Sequence, residues 1–297
     1  MDSSTLDARE PQFETAPSAT PLLDTPVPGA PRLKTIDASV ALHARDDRRR
    51  FGGVARLYGD AALAALARSH VCVIGVGGVG SWAAEALARS GVGALTLVDA
   101  DHVAESNVNR QVHALDSTLG AAKIDVMRAR IADIAPACEV RVVDDFVTAE
   151  NVAQLVPADC IVVDAIDAPR AKAALVALAV QRRQAIVVCG AAGARTDPLR
   201  LRRADLAQTT GDALLASVRA RLRRQYGFER RPGAKFGVTS VFSDEPSPAK
   251  RRAGPEPAAG FALSCAGYGS IVTVTAAMGL AAASSALARL VGESHVA

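Results

Sequence analysis

The stretch that most constrains the fold of this chain is CVIGVGGVGSW, residues 72–82. An apolar run ends in four glycines, Gly75, Gly77, Gly78 and Gly80, and a helical pattern follows directly. Glycines between a strand and a helix let the backbone approach a phosphate, and the N–H groups at the helix start bind the anion. The stretch therefore predicts a nucleotide-binding α/β domain, and it suits NAD and ATP equally.

Strand-like and helical patterns alternate after this point. The strand-like runs, rich in β-branched residues, cover residues 71–75, 94–100, 139–145, 160–165 and 185–190. Alternation of this kind favours parallel strands joined by right-handed crossovers. We therefore predict an α/β fold: a doubly wound, mainly parallel sheet of Rossmann-like ATP-binding type with additional C-terminal helices and strands. Ligands of such sheets bind at the carboxyl ends of the strands.

The two ends of the chain have different compositions from this core. The first 31 residues contain six prolines and no secretory signal pattern, so we expect residues 1–38 to form a disordered tail. Residues 39–292 are expected to form one domain, with a nucleotide-binding core at 70–190 and a substrate side at 191–292. Residues 257–288 carry no charge. Their Ala, Ser, Thr and Gly content favours a buried or oligomer-facing helix over a membrane span.

Cysteine spacing argues against a metal or disulfide framework. The five cysteines are never closer than 22 residues, so no CxxC pair is present; we expect no zinc and a reducing cytoplasm. Cys189, at a strand end, is expected in the core. Cys265 is the better candidate for a thiol facing the site.

Polar residues after the second strand favour ATP. Asp99 lies where a carboxylate binds ribose hydroxyls in NAD and ATP enzymes alike. The polar run at 105–111 follows, and Lys123 stands near the start of the next helix. Cationic side chains neutralise triphosphate oxygens, whereas a nicotinamide needs an apolar slot. An NAD-dependent oxidoreductase remains an alternative only if the 105–111 run and Lys123 are structural.

Five motifs in this order resemble the ubiquitin-activating-enzyme-like adenylating superfamily, which includes the ThiF, MoeB and HesA proteins. They are GxGGxG, the DxD of Asp99 and Asp101, the NxNRQ of 107–111, the lysine of GAAKID, and the DAID of 164–167. The resemblance implies that the chain binds Mg-ATP and transfers AMP to a carboxylate. It implies a ribose contact for Asp99, triphosphate contacts for Asn107 and Arg110, and a phosphate clamp for Lys123.

The residues expected in the site follow from these motifs. The catalytic set is Arg110, Lys123 and Asp167, with Asp167 also the magnesium-associated carboxylate. The nucleotide-binding set is Gly75, Gly77, Gly78, Gly80, Asp99, Asp101, Asn107, Asn109, Gln111, Asp164 and Arg56. A turn with helix capping remains the alternative for Asp164 and Asp167, since Ala168 and Pro169 begin a helix.

The resemblance also implies a homodimer. In the superfamily an N-terminal arginine of one subunit reaches the ATP of the other. Arg50 or Arg56 suits that role, and the sequence does not choose between them; a surface position is the alternative for each.

Segments outside the nucleotide motifs indicate one branch of the superfamily. Residues 48–292 resemble, segment by segment, the bacterial tRNA threonylcarbamoyladenosine dehydratase family. This implies ATP-dependent dehydration, a cyclisation, of threonylcarbamoyladenosine in tRNA through a carboxyl-adenylate intermediate. The alternative is adenylation of the C-terminus of a ubiquitin-like sulfur carrier protein, whose activators often carry the CxxC pairs that this chain lacks. Whether a sulfurtransferase or cysteine desulfurase partner assists stays open.

A basic region in the second half suits an RNA partner. Residues 199–252 hold eleven Arg and two Lys against five acids. We expect Arg219, Arg221, Arg223 and Arg224 to contact tRNA phosphates, with a solvated helix face as the alternative. Residues 244–260 are expected to form a mobile loop.

Overall fold

A computed structural model describes residues 47–246 and 269–292, which belong to one compact unit. The predicted tail at 1–38, Cys265 and most of the predicted loop at 244–260 lie outside these residues.

Seven strands form one sheet in the order β3-β2-β1-β4-β5-β7-β6. Every neighbouring pair is parallel except β6 and β7. The strands are β1 (His70–Ile74), β2 (Ala94–Val98), β3 (Glu139–Val143), β4 (Ile161–Asp164), β5 (Ile186–Cys189), β6 (Leu201–Asp205) and β7 (Thr239–Ser243).

Eight α-helices connect or flank the strands within the described residues. They are α1 (Asp47–Tyr58), α2 (Asp60–Ala67), α3 (Gly80–Arg89), α4 (Lys123–Ile134), α5 (Val152–Leu155), α6 (Pro169–Gln181), α7 (Ala213–Gln225) and α8 (Val272–Val291). Because α3, α4 and α8 cover one face of the sheet and α5, α6 and α7 the other, the predicted doubly wound fold is confirmed.

Alternation along the central strands builds a separate core on each face. Val71 and Val73 of β1 pack with α3 and α8, whereas Cys72 and Ile74 pack with α6. All four side chains are fully buried, as expected for a central parallel strand covered by helices on both faces. Cys189 is also in the core, where burial raises its pKa to about 12.

The described part of the uncharged segment near the C-terminus contributes residues 272–288 to α8, which by length and composition alone is able to span a membrane. Val274, Met278, Ala282 and Ala286 of this helix are fully buried in the core shared with α3. A Cβ at Gly279 would lie 2.4 Å from the carbonyl oxygen of Val79, so glycine permits this close approach. The helix therefore packs against the protein, as the sequence favours.

The pair β6 and β7 is the part of the sheet that the alternating pattern does not reveal. In β6, Arg202 and Arg203 are exposed, because the strand lies at the sheet edge and presents charged side chains to solvent. Charged side chains are a common feature of edge strands, and they hide the hydrophobic alternation that identifies a strand in a sequence.

His113 is a titratable side chain inside the protein. It is 1% exposed, and neither ring nitrogen has a hydrogen-bond partner among the described residues. Burial, followed by the positive charges of Lys123 and Arg130, lowers its pKa from 6.5 to about 4. The folded protein therefore requires the neutral imidazole.

We predict that His113 destabilises the fold in acid. The pKa of His113 is lower in the folded protein than in the unfolded chain. Its contribution to the free energy of unfolding is therefore complete above pH 6.5 and is lost as the pH falls to about 4. That loss is about 3 kcal/mol. The substitution His113→Leu should flatten the dependence of unfolding free energy on pH over this window, measured by urea unfolding. The same change at the exposed His102 is the control, and equal slopes in wild type and His113→Leu would contradict the prediction.

Candidate nucleotide-binding site

A cavity of about 790 Å³ lies at the carboxyl ends of four neighbouring strands. Its walls include Ile74 and Val98, the last residues of β1 and β2, and Ala165 and Gly190, which directly follow β4 and β5. This volume is typical of a small-molecule site. The position is the one that the fold class predicts for a ligand.

The glycine loop forms the floor of the cavity between β1 and α3. Gly75 has a φ of +83°, a conformation that side chains disfavour. Gly75, Gly77 and Gly78 line the cavity. Gly80 does not line it: a Cβ there would lie 1.8 Å from the carbonyl oxygen of Gly75, so this glycine lets the start of α3 approach the loop. The amino end of α3 is thereby directed at the cavity, as anion binding requires.

Asp99 joins the glycine loop to the end of β2. Its Oδ2 accepts a hydrogen bond from the N–H of Val76 at 2.6 Å, and its Oδ1 accepts one from the N–H of Asp101 at 2.9 Å. Burial raises the pKa of Asp99, while the charge of Lys123 and the two N–H donors oppose that rise. The carboxylate is thus held in one orientation at the cavity wall, and it has remaining lone pairs for ribose hydroxyls.

Lys123 is the first residue of α4 and faces the same cavity. Its Nζ lies 2.6 Å from Oδ2 of Asp101, and its side chain is 6% exposed against 53% for the aspartate. A nearly buried ammonium with one exposed counter-charge is a strong site for a further anion, because little solvent screens it.

The 107–111 run, in the loop between β2 and α4, contributes three of its four predicted contacts. Asn107, Arg110 and Gln111 line the cavity, and Oε1 of the buried Gln111 has no hydrogen-bond partner among the described residues. The side chain of Arg110 is oriented by a hydrogen bond that its Nη1 donates to the carbonyl of Ser106 at 2.7 Å. Asn109 does not line the cavity and donates instead to the carbonyl of Ser270 at 2.8 Å.

The two acids of the DAID motif occupy different environments. Asp164 is fully buried, forms an ion pair with Lys172 at 2.8 Å, and does not line the cavity. Asp167 is exposed at the cavity wall, and its carboxylate makes no hydrogen bond or ion pair within the described residues. The residue that caps α6 is Ala168, so Asp167 is not the helix cap that the sequence left as an alternative.

The N-terminal arginines lie away from the cavity of their own chain. Arg50 donates from Nη1 to the carbonyl of Ile134 at 2.8 Å, at the carboxyl end of α4. Arg56, in the last turn of α1, does not line the cavity.

The four arginines of α7 differ in exposure. Arg224 is exposed, while Arg219, Arg221 and Arg223 are half-buried. Arg219 donates to the hydroxyl of Thr209, and the guanidinium of Arg223 lies 5.4 Å from the ring centre of Phe236. One of the four is therefore fully available to a partner.

Phe146, Arg195 and Thr275 are among the lining residues that the sequence did not predict as site residues. Phe146 follows β3, Arg195 lies on the loop after β5, and Thr275 is in the first turn of α8. A signal existed for the first two, because residues that follow parallel strands gather at the ligand edge. Thr275 reaches the site only through the packing of α8 on α3, which sequence spacing does not reveal.

The cavity suits a nucleotide with phosphate groups. Glycine backbone, a fixed carboxylate and three cationic side chains line one space, as such a ligand requires. No group of three His, Cys, Asp or Glu side chains gathers as a metal site in the part of the chain that the structure describes. Magnesium is commonly held by one or two carboxylates with substrate phosphates, and Asp167 fits that pattern.

Comparison with known proteins agrees with this site. The model of the ThiF family matches residues 52–297. The chain is 46% identical to the tRNA threonylcarbamoyladenosine dehydratase of Escherichia coli strain K12 over 254 residues, 83% of this chain and 95% of that protein.

Solved structures of an Escherichia coli tRNA N6-threonylcarbamoyladenosine dehydratase are also similar. Its complex with ATP has a TM-score of 0.74 and 45% identity, and its complex with AMP has a TM-score of 0.73 at the same identity. Each match covers 83% of this chain and 96% of the solved one. The chain therefore belongs to the ThiF family, in the branch formed by the tRNA threonylcarbamoyladenosine dehydratases.

Proposed function

We propose that this protein uses ATP to dehydrate threonylcarbamoyladenosine in tRNA. The observation that carries the proposal is the cavity in which the glycine loop, Asp99, Arg110 and Lys123 meet, in a chain matching dehydratase relatives over nearly their full length. The dehydratase match, which covers 83% of this chain and 95% of the relative, favours this reaction over adenylation of a carrier protein. Arg110 and Lys123 beside the glycine loop favour a triphosphate over a dinucleotide cofactor.

Dehydration needs activation because a carboxylate is a poor electrophile. ATP supplies an α-phosphorus and a pyrophosphate leaving group. A carboxylate oxygen of the modified nucleoside bonds to that phosphorus while the bond to pyrophosphate breaks. The ureido group then bonds to the activated carbonyl carbon, loses its proton, and AMP departs with the former carboxylate oxygen. The net change in the tRNA is loss of one water.

The residues of the chain have separable roles in this scheme. Asp99 orients the ribose, and the glycine loop presents its backbone to the phosphates. Arg110 and Lys123 neutralise the oxygens, so a second anion is able to approach the triphosphate. Asp167 is the carboxylate available to magnesium. These assignments are proposals supported by the position of each side chain at the cavity.

The relative that this chain matches over 95% of its length is a tRNA threonylcarbamoyladenosine dehydratase, and a tRNA substrate favours a cytoplasmic location here. The four described cysteines are free thiols, in keeping with a reducing compartment. No feature within residues 47–246 and 269–292 bears on a sulfurtransferase or cysteine desulfurase partner.

We predict that AMP forms when the protein receives Mg-ATP and tRNA carrying threonylcarbamoyladenosine, and not when it receives a sulfur carrier protein. Asp167→Asn should reduce AMP formation by roughly 100-fold or more, because it removes a carboxylate that acts in the transition state. Thermal unfolding should be unchanged, since Asp167 is exposed and unpaired within the described residues.

Asp159→Asn is the matched control. Asp159 is exposed and precedes β4, whereas Asp167 follows it. The control therefore removes a similar charge at the amino ends of the strands, away from the cavity. Full activity in Asp167→Asn would remove that residue from the mechanism. AMP formation with the carrier protein alone would overturn the proposed substrate.

We also predict that Arg224 contributes to tRNA binding. Arg224→Glu should weaken tRNA retention and reduce the slope of log affinity against log salt by about one, the effect of one lost phosphate contact. Affinity for Mg-ATP should not change. The control is Arg68→Glu. Arg68 is an exposed arginine that precedes β1 and so lies at the amino ends of the strands. Equal losses in both variants would mean that only net charge matters.

A homodimer is the last part of the proposal. Leu57, in α1 next to Arg56, is 73% exposed, and Leu280 in α8 is 49% exposed; both are apolar surfaces suited to burial by a second copy. Arg56 is absent from the cavity of its own chain and so remains a candidate to reach a neighbour's. Sedimentation velocity at micromolar concentration should show a dimer, and a monomer alone would refute both points.

A further inference from the structure

Arg195 is a buried cation in the wall of the nucleotide cavity. Only 3% of the residue is exposed, and it lines the same cavity as the glycine loop. Its Nη2 donates to the carbonyl of Gly211 at 2.8 Å, whereas Nε and Nη1 have no hydrogen-bond partner among the described residues. A guanidinium group has five N–H donors and is always charged, so this one is both desolvated and largely unsatisfied.

Nearby acids do not satisfy this charge. Glu245, close enough to interact with it electrostatically, accepts hydrogen bonds from the N–H and hydroxyl groups of Thr196 and from the N–H of Asp197. Asp212 accepts from the N–H groups of Ala191 and Leu215. A buried charge without a direct ion pair is costly, and such a group commonly marks a position that a ligand completes.

The loop that carries Arg195 has a fixed position. The N–H of Gly190 donates to the carbonyl of Val241 at 2.8 Å, and that of Ala194 to the carbonyl of Gly269 at 3.0 Å. Ala194 has a φ of +59°, a conformation that a non-glycine residue adopts at some cost. The guanidinium is thus presented by a constrained loop and oriented by its bond to Gly211.

The strand order separates Arg195 from the phosphate-binding residues. The glycine loop follows β1, and Lys123 and Arg110 lie on its β2 side. Arg195 follows β5, two strands away on the other side, with β4 and Asp167 in between. Neighbouring strands are roughly 4.8 Å apart, so β5, from which the loop of Arg195 extends, is about 10 Å from β1.

We propose that Arg195 binds the carboxylate of the acceptor nucleoside, so that the cavity has one anion site for ATP and a second for the group that attacks it. This inference rests on the proposed dehydratase function. Because Nε and Nη1 have no partner among the described residues, the guanidinium retains charged N–H donors of the kind that a carboxylate accepts. Neutralising the carboxylate there allows it to approach the triphosphate, and α7, whose Ser217 lines the same wall, provides the adjoining surface.

The test measures binding of the carboxylate separately from binding of phosphate groups, because the two RNAs that are compared carry the same phosphates. A short RNA hairpin carrying threonylcarbamoyladenosine is compared with the same hairpin whose threonyl carboxylate is a methyl ester, in the absence of ATP. Wild type should bind the acid between about 10-fold and 100-fold more tightly than the ester, the range for a charged hydrogen bond. In Arg195→Met this ratio should fall close to one, and in Arg195→Lys it should be intermediate.

Two controls separate this role from others. Arg203→Met, at an exposed arginine of the neighbouring edge strand, should keep the wild-type ratio, and Mg-ATP affinity should be the same in every variant. If Arg195→Met does not fold, Arg195→Gln, which retains a donor for Gly211, takes its place.

The outcomes are distinct. An unchanged ratio in the Met variant would overturn the inference, as would a loss of Mg-ATP affinity, which would assign Arg195 to the triphosphate. If wild type binds the acid and the ester equally but still forms AMP with modified tRNA, the carboxylate site is refuted and the proposed function is not. No AMP formation in wild type would refute the proposed function itself.

Discussion

The ion pair between Asp164 and Lys172 determines how the ligand edge of the sheet is built. The Nζ of Lys172 lies 2.8 Å from Oδ1 of Asp164 and 3.3 Å from the carbonyl oxygen of the same residue, and both side chains are fully buried. Burial raises the pKa of Asp164, and the lysine charge opposes that rise. Removing one partner of such a pair typically costs about 3–5 kcal/mol because it leaves the other charge buried alone. The pair therefore fixes the end of β4 against α6.

This fixed point positions the polar residues on both sides of it. Asp167 follows Asp164 by one short turn, in which the N–H of Ile166 donates to Oδ1 of Asp164 at 3.3 Å. On one side of β4, β1 and β2 place the glycine loop and Asp99; on the other, β5 places Arg195. The cations Arg110 and Lys123 thus lie at one end of the cavity and Arg195 at the other, with Asp167 between them. Such an order suits two anions that must meet in the middle.

Local pattern was enough to predict β1 to β5, since each is a short run rich in β-branched residues that ends at a glycine or an aspartate. The glycine loop, Asp99, Lys123 and Asp167 all belong to motifs of fixed spacing, so the sequence predicts that they meet. What it does not contain is the distinction between Asp164 and Asp167, which depends on the buried Lys172 eight residues beyond Asp164. Arg195 follows the predicted strand β5, so only its general position at the ligand edge is predictable, and its burial depends on tertiary packing. Thr275 reaches the cavity through the packing of α8 on α3, which the sequence does not reveal.

Burial of cations is the property that makes this cavity suitable for joining a carboxylate to a phosphate. In water a carboxylate and a phosphate repel each other only weakly because the solvent screens them. They do not react there, because each must first lose its hydration. Lys123 and Arg195 are each at most 5% exposed, so the protein has already removed most water from the groups that receive the anions. The cost of that desolvation is met in the folded chain, partly by Asp101 beside Lys123 and by the carbonyl of Gly211 beside Arg195. Binding of the two anions then neutralises the charges of Lys123 and Arg195, which the fold compensates only in part. This favours the geometry in which the anions react.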